Sequence, residues 1–508
     1  MPALVTRRFK IYNAAQFKEA FTETAPDHLY LFIGRVQAWP NGDTAPALVE
    51  SPTCVDYDPW RDMIGAKKIT ANDMSFSIPR YNWTTGTVYD EYDNLIDEVN
   101  KVFYVLTYAN NVYKCIFNNR GTASTVEPTG TGTTIFNTPD GYRWKFMYTV
   151  TAAEVIKFVT PNYMPIKRLA ADDSSAQWDV QQAAANGAIH VIDVTSNGSG
   201  YIQRSNTLQS VTNSSVVTID SGASTLDNYY QGSTIFISSG LGAGQIRGVS
   251  SFVGDTKALT VDTAFSVTPN STSTFHIGPL VTVLGDGTGA TAYANVQSGQ
   301  IKQINMVGIG TSYSKANVAI TAAVGTGAIA VPRISPPGGH GSDPVDELNA
   351  HNLTLSVRLS GTEGNNLPSN NDFRVIGMLK NPVLSSNGAY AVDNAYDQTT
   401  RLSVINLTGI PQRDEMVNGA LSGASARVVY FANTDNTNTR GDIKVVGING
   451  IFQNEILTGN TSLVTCNVSS ITTGELEPYK GDIMYLENRV VSVRTYDQIE
   501  DIKITLQY

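Results

Sequence analysis

Apolar residues along this chain occur mostly in short runs bounded by turn residues, which is the pattern of β-strands. Leu29–Ile33 is an uninterrupted apolar run and predicts a buried strand. Two aromatic and β-branched runs within Lys101–Asn118 flank Ala109–Asn111, which predicts a hairpin because asparagine tolerates the positive φ of tight turns. Tyr142–Val150 and Asp501–Tyr508 predict further strands, so the pattern favours a mainly β protein.

Helical periodicity is confined to a few short segments. Asn13–Phe21 repeats apolar residues at spacings of three and four and predicts one short helix. Asp58–Lys67 predicts a helical turn or short helix with its apolar residues on one side. Ala152–Phe158 predicts another, with Thr151 as its N-cap and Glu154 at the spacing of a capping box.

The chain repeats itself between about Gly187 and Pro332, where Gly, Ser, Thr, Val and Ile dominate. Ile189–Tyr201 matches Ile301–Tyr313 at a constant offset of 112, and both copies keep the order strand, glycine turn and aromatic return. Two such copies predict related β units that are stacked or paired. Another β-rich stretch, Val217–Ile277, lies between them and indicates a module nested within a module.

A second duplication lies nearer the C-terminal end. Glu415–Gly419 (EMVNG) is answered by Glu455–Gly459 (EILTG), and Ser422 by Ser462, at one offset of 40. Two hairpin-like halves of one small barrel or sandwich would give this pattern.

Length sets the number of domains. At 508 residues the chain exceeds what one core usually supports, and about 150 residues per domain implies several domains. The predicted fold class is mainly β, a multidomain β-sandwich/barrel scaffold with few short helices and two inserted small β modules. The predicted divisions are an N-terminal scaffold domain at 1–186, a β-repeat module at 187–335 with a nested unit at about 217–277, a scaffold continuation at 336–397, a second β module at 398–474 and C-terminal scaffold strands at 475–508.

Charge and hydropathy disfavour two classes of partner. The formal net charge is −10, and the basic groups Arg7, Arg8 and Lys10, or Lys67 with Lys68, are each diluted within a few residues. A phosphate-binding surface needs clustered cations, so no nucleic-acid partner is expected. No run approaches the roughly 18 apolar residues of a membrane span, and the N-terminus does not read as a signal peptide, so we expect a soluble chain without membrane insertion.

Cysteine and histidine positions give little sign of a metal site. Cys54, Cys115 and Cys466 are far apart, which fits a reducing compartment and indicates neither a disulfide framework nor zinc. His340 and His351 flank three acidic residues, where a weak cation site is the alternative to the favoured interpretation, a solvated acidic joint. No metal ligand and no cofactor is predicted.

Three polar or glycine-rich runs are candidates for binding. Gly240–Gly244 and Gly285–Gly289 resemble phosphate loops in composition, but β-like sequence follows each where a phosphate loop requires a helix, so both predict turns. Asp90–Asp97 could steer a basic partner, although a solvated surface is the favoured interpretation.

Five motifs in order carry a family resemblance. They are FIGR with a following tryptophan (Phe32–Arg35, Trp39), DMIGAKK (Asp62–Lys68), IPRYNW followed by two tyrosines (Ile78–Trp83, Tyr89, Tyr92), PDGYRWKFMYTV (Pro139–Val150), and GDIMYLENR with its YDQIEDIKI tail (Gly481–Ile504). Together they resemble the baseplate wedge protein of the gene-eight type from T-even-like contractile-tailed bacteriophages. The resemblance covers about residues 20–180, 345–397 and 475–508, and the two β modules have no counterpart in shorter family members.

The resemblance implies a structural role in the virion. It implies a tail baseplate subunit that forms a homodimer, contacts other baseplate wedge proteins, takes part in baseplate rearrangement on host attachment, and carries no catalysis. The residues that carry the resemblance are expected to be structural: Gly34, Arg35, Trp39, Asp62, Gly65, Pro79, Arg80, Trp83, Tyr89, Gly141, Tyr142, Trp144, Gly481, Tyr485, Glu487, Asn488 and Arg489.

An adhesin of the tail that binds a host surface or glycan is the alternative. Glycan sites commonly present aromatic faces, and Tyr229, Tyr230, Tyr293 and Tyr313 are available in the first inserted module. The absence of tryptophan between Gly187 and Pro332 counts against this alternative. The other aromatic candidates, Trp39, Trp60, Trp83 and Trp144, are predicted to be core residues more than interface anchors.

Overall fold

The structure is a computed structural model that describes residues 4–23, 26–42, 44–49, 52–95, 101–360, 367, 369–435, 437–495 and 497–508. It is mainly β, with several sheets, one small barrel and few short helices, and the predicted fold class is confirmed. The chain forms two compact units, unit 1 (Met1–Ile78, Ala153–Pro165, His351–Tyr508) and unit 2 (Pro79–Ala152, Ile166–Ala350). Residues 1–186, predicted as one scaffold domain, are therefore divided between the two units.

The described helices are short. They are Arg7–Glu19 (α1), Pro52–Asp62 (α2), Ala152–Phe158 (α3), Ala176–Gln182 (α4) and Pro344–Glu347 (α5), with a 3-10 turn at Ala71–Asp73. Among the described residues, no helix has the length and apolar character needed to cross a membrane.

Strands make up most of the secondary structure. The first sixteen are Leu29–Gly34 (β1), Met63–Ile69 (β2), Met74–Pro79 (β3), Tyr104–Leu106 (β4), Asn111–Phe117 (β5), Phe136–Asn137 (β6), Arg143–Thr149 (β7), Tyr163–Ile166 (β8), Ile189–Ser199 (β9), Arg204–Thr207 (β10), Ser210–Asn213 (β11), Val216–Thr218 (β12), Ser233–Ser239 (β13), Ile246–Val253 (β14), Ala258–Val261 (β15) and Thr274–Gly285 (β16). The rest are Thr288–Gln297 (β17), Gln300–Thr311 (β18), Ala316–Thr321 (β19), Thr326–Ile334 (β20), Asn352–Ser360 (β21), Asp372–Lys380 (β22), Ala395–Asp397 (β23), Thr400–Ile405 (β24), Met416–Gly419 (β25), Ser425–Asn433 (β26), Arg440–Asn449 (β27), Ile456–Gly459 (β28), Thr465–Thr472 (β29), Asp482–Val493 (β30) and Ile499–Gln507 (β31).

Unit 1 contains a β-sandwich. One sheet has the order β23-β2-β1-β22-β30, and the other has the order β31-β21-β3-β8. Their facing sides share one core, to which Leu31 and Ile376 contribute from the first sheet and Leu355 and Ile504 from the second. The strand predicted at Leu29–Ile33 is the centre of the first sheet, because β1 pairs with β2 on one side and β22 on the other.

The segment after α2 corrects a prediction. Asp58–Lys67 was expected to be helical, but the helix ends at Asp62 and Met63–Ile69 continues as strand β2. Long-range pairing explains the difference, since β2 lies between β1 and β23 and is almost entirely buried. The first helix also begins earlier than predicted, at Arg7, where the Thr6 side chain accepts a hydrogen bond from the Phe9 backbone N–H at 3.3 Å.

Six strands of unit 1, β24 to β29, form a closed barrel. The duplicated sequence explains its form, because each copy of the EMVNG/EILTG motif supplies one short strand, β25 or β28, and these two strands pair with each other. The barrel has its own core, which includes Leu402, Val428, Ile443 and Leu457.

Unit 2 contains a twelve-stranded sheet and the four-stranded sheet β4-β5-β7-β6. The two predicted repeats form β9 and β18, which are antiparallel neighbours in the large sheet. Ile192 and Ile304, which occupy equivalent positions in the repeats, face each other across this pair. The sequence duplication is therefore also a local duplication of structure.

A tight glycine–tyrosine contact recurs in both repeats. Gly198 and Gly310 have φ values of +61° and +64°, and a Cβ atom on either would lie 2.7 Å from the ring of the tyrosine three residues later, Tyr201 or Tyr313. Both tyrosines are buried. Glycine is needed at these positions because it tolerates positive φ and lets the aromatic ring approach the backbone.

The nested stretch has a separate core. Strands β11 to β15 and the first half of β16 enclose residues that include Leu208, Val217, Phe252 and Phe275. The predicted hairpin is also present: β4 and β5 pair around Asn110, whose φ of 59° is the left-handed conformation expected of that turn.

Candidate functional site

A cavity of about 630 Å³ in unit 1 brings together residues from distant parts of the sequence. Its walls are mostly apolar and include Leu48, Val375, Ile483 and Leu486. The cavity also collects the following residues from the resemblance: Gly34, Arg35, Trp39, Asp62, Tyr485 and Asn488. The motifs near the two ends of the chain therefore meet at one place.

Arg35 occupies the turn that ends β1. Its φ is 60°, and its backbone N–H donates to the Asp62 carbonyl at 2.9 Å. The guanidinium lies 4.2 Å from the centre of the Trp39 ring and 3.7 Å from the Asp62 carboxylate. Burial lowers the pKa of Arg35, and Asp62 opposes that change. Arg35 Nε is buried without a hydrogen-bond partner, so the group is held chiefly by stacking and charge.

The other side of the cavity is bound to the first by backbone contacts. Trp39 Nε1 donates to the Arg489 carbonyl at 2.7 Å, and Asn488 Nδ2 donates to the Pro46 carbonyl at 3.0 Å. Each bond joins segments that are more than four hundred residues apart, with separations of 450 and 442. These two side chains therefore fix β30 to the turn after β1.

Three motif residues on β30 form a short polar chain. The Tyr485 hydroxyl donates to Glu487 Oε2 at 2.8 Å, and Arg489 Nε lies 3.3 Å from Glu487 Oε1. Burial raises the pKa of Tyr485, and the neighbouring Glu487 carboxylate raises it further. The phenol is therefore a hydrogen-bond donor at neutral pH.

The remaining motif residues of unit 1 control backbone positions. Gly34 leaves space for the Asp62 carbonyl, which would lie 3.0 Å from a Cβ atom there. Gly65 in β2 pairs with both Ile33 and Asp397. Gly481 has a φ of +99°, and a Cβ atom there would lie 2.8 Å from the Lys380 carbonyl. Their role is to let neighbouring strands approach.

The motif residues of unit 2 form an aromatic cluster. Trp144 is fully buried, stacks on Tyr142 at 5.4 Å and meets the Tyr89 ring edge-on at 5.9 Å. The Tyr142 hydroxyl donates to the Thr122 carbonyl at 2.6 Å, and Trp83 Nε1 donates to Ser124 Oγ at 3.1 Å. The cluster fixes the loops beside the hairpin sheet.

Three further motif residues lie near turns of unit 2. The Pro79 carbonyl accepts from the Tyr104 hydroxyl at 3.0 Å, and Arg80 Nε donates to Asn82 Oδ1 at 2.9 Å. Gly141 has a φ of +85°, and a Cβ atom there would lie 2.6 Å from Asn119 Nδ2. These contacts are with the local backbone and side chains.

The solvated acidic joint predicted near His340 is wrong at His340 and Glu347, which are buried, whereas Asp343 and Asp346 are partly exposed. Glu347 is buried and pairs with the buried Lys114 ammonium at 3.0 Å, while His340 Nδ1 lies 4.0 Å from the same carboxylate. The Asp343 side chain accepts hydrogen bonds from the Val345 and Asp346 backbone N–H groups and is the N-cap of α5. The prediction failed at Glu347 because it considered only neighbours in sequence, whereas Lys114 is 233 residues away.

Cations surround the histidine that was a candidate metal ligand. Burial lowers the pKa of His340 well below its ordinary value, and Lys114, His190 and Lys145 lower it further. Burial also lowers the pKa of His190 to about 4 and that of Lys145 to about 8. Within the described residues, no group of three or more His, Cys, Asp or Glu side chains could hold a metal ion.

The other sequence candidates lie as follows. Gly240–Gly244 and Gly285–Gly289 lead into strands β14 and β17, as predicted. In the Asp90–Asp97 run, Asp93 is buried 2.6 Å from Arg333, so the solvated surface expected there is wrong at this residue. Asp97 lies outside the described residues.

The tyrosines that motivated the adhesin alternative have mainly packing roles. Tyr230 and Tyr313 are buried in the cores of the nested stretch and of the large sheet. Tyr229 packs against the first of these cores, and Tyr293 stacks on Phe236 at 4.5 Å. Trp39, Trp60 and Trp144 are also buried, as predicted for core residues.

Two groups of site residues were missed by sequence reasoning. Residues 46–49 line the cavity as part of an irregular segment without strand or helix periodicity. Asp140 accepts hydrogen bonds from the backbone N–H groups of Thr125 and Val126 at 2.8 and 3.0 Å. The Asp140-Gly141 dipeptide is a turn signal that could have identified the second group.

No protein-family model matches the chain, and no curated protein sequence matches it significantly.

Proposed function

We propose that this protein is a structural subunit of a phage tail baseplate wedge, which assembles with copies of itself and with neighbouring wedge proteins. The resemblance in sequence order suggests this role. One structural observation carries it further: motifs from the two ends of the chain lie around one cavity and bind each other directly.

The convergence argues against chance matches. Unrelated short matches spread over 508 residues would have no reason to meet in space. Trp39 instead bonds to Arg489, Asn488 bonds to Pro46, and Arg35 lies against both Trp39 and Asp62. Motif residues that hold one another in place are the residues that a shared scaffold would need to keep.

The chemistry at these positions is that of a scaffold. The side chains of Trp39, Asn488, Tyr142 and Tyr485 donate to backbone carbonyls or to a neighbouring side chain within the protein. Such bonds connect loops to sheets and stiffen the domain that presents its surfaces to other subunits. The proposed activity is therefore mechanical, through contacts that form and rearrange between subunits.

Labelling of particles tests the proposal. Antibodies raised against the purified chain should label one end of purified tail particles from the source virus under the electron microscope. Sedimentation of the purified chain should show a dimer if the homodimer implied by the resemblance forms without other subunits. Finding the protein in the lysate but never in purified tails would refute the structural role.

A further inference from the structure

A groove of about 370 Å³ in unit 2 carries an unusual charge for this protein. Three cationic side chains line it, Arg120, Arg143 and Lys302, and no carboxylate is present among its lining residues. The whole chain has a formal charge of −10, so a wall with three cations and no acid is a local reversal of sign. Such a concentration of positive charge favours an anionic ligand.

Arg143 is partly buried, and it forms no ion pair with any residue that the structure describes. Its guanidinium donates to the His190 carbonyl at 3.3 Å and lies 5.4 Å from the centre of the Phe117 ring. Burial lowers the pKa of Arg143, and no acidic neighbour opposes that change. By contrast, Arg333 in the same unit lies within 3.3 Å of the Asp193 carboxylate and 2.6 Å from that of Asp93.

Two carboxylates near the groove already have other partners. Asp193, which lines a narrow cleft next to the groove, pairs with Arg333. Asp140 accepts from backbone N–H groups of the loop that includes Thr125. Neither carboxylate neutralises Arg143, so a bound anion would recover free energy that partial burial of its charge costs.

The wall that carries Arg120 is fixed in place. Asn119 and Arg120 have φ values of 49° and 60°, and Asn119 Nδ2 donates to the Asp140 carbonyl at 3.0 Å. Gly141 must be glycine for this bond, since a Cβ atom there would lie 2.6 Å from Asn119 Nδ2. The cation therefore lies on an ordered turn, and less entropy is lost when it binds a ligand.

The remaining polar groups indicate what the anion is attached to. Five carboxamide side chains line the groove, among them Asn119, Asn295 and Gln303. A carboxamide donates and accepts hydrogen bonds, so several together suit a ligand with neighbouring hydroxyl groups. The volume lies within the range of about 300–1,000 Å³ that small-molecule sites occupy.

We propose that this groove binds an acidic saccharide, a sugar that carries a carboxylate or phosphate group. Arg143, Arg120 and Lys302 would bind the oxyanion, since a guanidinium matches carboxylate and phosphate geometry in a bidentate manner. The carboxamides would bind the hydroxyl groups. This inference is independent of the assembly role, because the groove lies in unit 2 and the cavity in unit 1.

Titration calorimetry with the full chain tests the ligand class. The probes are D-glucuronate, D-glucose 6-phosphate, neutral D-glucose and inorganic phosphate. At least one acidic sugar should bind at least tenfold more tightly than glucose and than phosphate, and its affinity should fall as salt is added. The acidic sugar that binds more tightly identifies whether the oxyanion is a carboxylate or a phosphate. The proposal would be overturned if glucose bound as tightly as the acidic sugars, or if inorganic phosphate bound as tightly as they do.

Variants locate the binding. Arg120 is exposed, so the R120Q variant should fold normally. R120Q should weaken binding of the acidic sugar at least threefold. R143Q should weaken it at least tenfold. R247Q is the matched control, because Arg247 also lies over a phenylalanine ring, Phe265 at 5.5 Å, and should leave affinity unchanged. Thermal melting verifies each fold. Unchanged affinity in a folded R120Q variant, or an equal loss in R247Q, would overturn the assignment.

Discussion

At the scale of single residues, the pair Lys114–Glu347 shows how strongly this protein depends on charge compensation in its interior. Both side chains are buried, and their charged atoms are 3.0 Å apart. The ammonium also lies 3.9 Å from the centre of the Tyr92 ring, and Glu347 accepts from the Gly341 backbone N–H at 2.7 Å. Burial raises the pKa of Glu347, while Lys114 opposes that change.

Removing one member of this pair should cost more than removing both. We expect K114M to destabilise unit 2 by about 3–5 kcal/mol, because it leaves the Glu347 carboxylate buried without its counter-ion. K114M/E347Q should recover part of that loss, since glutamine keeps an oxygen for Gly341 and carries no charge. Hydrogen exchange of the β5 amides measures the local free energy of unfolding in each variant.

An exposed pair in the same unit supplies the control. Lys101 Nζ lies 3.1 Å from Asp90 Oδ1, and both side chains are more than one third exposed. K101M should therefore cost less than about 1 kcal/mol. Equal costs for K114M and K101M, or strictly additive costs in the double variant, would contradict the argument.

At the scale of elements, the barrel is held by two reciprocal carboxylates. Glu415 in the first copy accepts from Ser462 N and Oγ in the second copy, each at 2.8 Å. Glu455 in the second copy accepts from Ser422 N at 2.8 Å and from Ser422 Oγ at 2.5 Å in the first. Each half of the duplication thus binds the turn of the other half, which explains why the Glu and Ser positions recur together.

These reciprocal hydrogen bonds predict that the turn after β25 is sensitive to acid. Burial raises the pKa of Glu455, but hydrogen bonds from Ser422, Gln453 and Leu421 lower it more, to about 2. The unfolded-state pKa is near 4.3, so the stabilisation is fully present above that pH and is lost as the pH falls toward 2. The protection factors of the amides of residues 419–426, which correct the exchange rate for its intrinsic pH dependence, should fall over this range.

The variant E455Q should remove this response. It should lower the local free energy of unfolding of the turn by roughly 1–3 kcal/mol already at pH 7, because an amide presents only one acceptor oxygen to these donors. The exposed Glu23 provides a control, and E23Q should leave the exchange of residues 419–426 unchanged. Protection factors for these amides that stay constant between pH 5 and pH 2.5 in the unaltered protein would contradict the role given to Glu455.

Local elements of this fold could be predicted from sequence where their cause is local. The Asn110 turn, the helix Ala152–Phe158 and the two duplications follow from periodicity, turn chemistry and repeated letters. Met63–Ile69 could not, because its strand state comes from β1 and β23 rather than from its own pattern. The hydrogen bond from Trp39 to Arg489 could not be predicted either, because the two residues are 450 positions apart and neither local sequence indicates the other as its partner.

At the scale of the whole molecule, the nested stretch and the barrel differ in how their cores are built. The core of the nested stretch is drawn wholly from residues between Leu208 and Ile277. The barrel has its own core, but Val429 and Val446 on its outside belong to the sandwich core together with residues such as Leu355. The barrel is therefore a separate fold that shares an apolar contact with its host domain, whereas the nested stretch buries its own apolar residues.

Isolated fragments should show this difference. We expect Arg204–Pro279 to fold as a monomer with one cooperative urea transition, because its core is complete. Asp397–Leu476 should fold but self-associate, since Val429 and Val446 lose their covering residues and form an exposed apolar patch. The double change V429T/V446T should restore a monomer, because threonine keeps the shape of valine and adds a hydroxyl. Sedimentation velocity and circular dichroism distinguish these outcomes, and a monomeric barrel fragment without those changes would show that the shared contact contributes little.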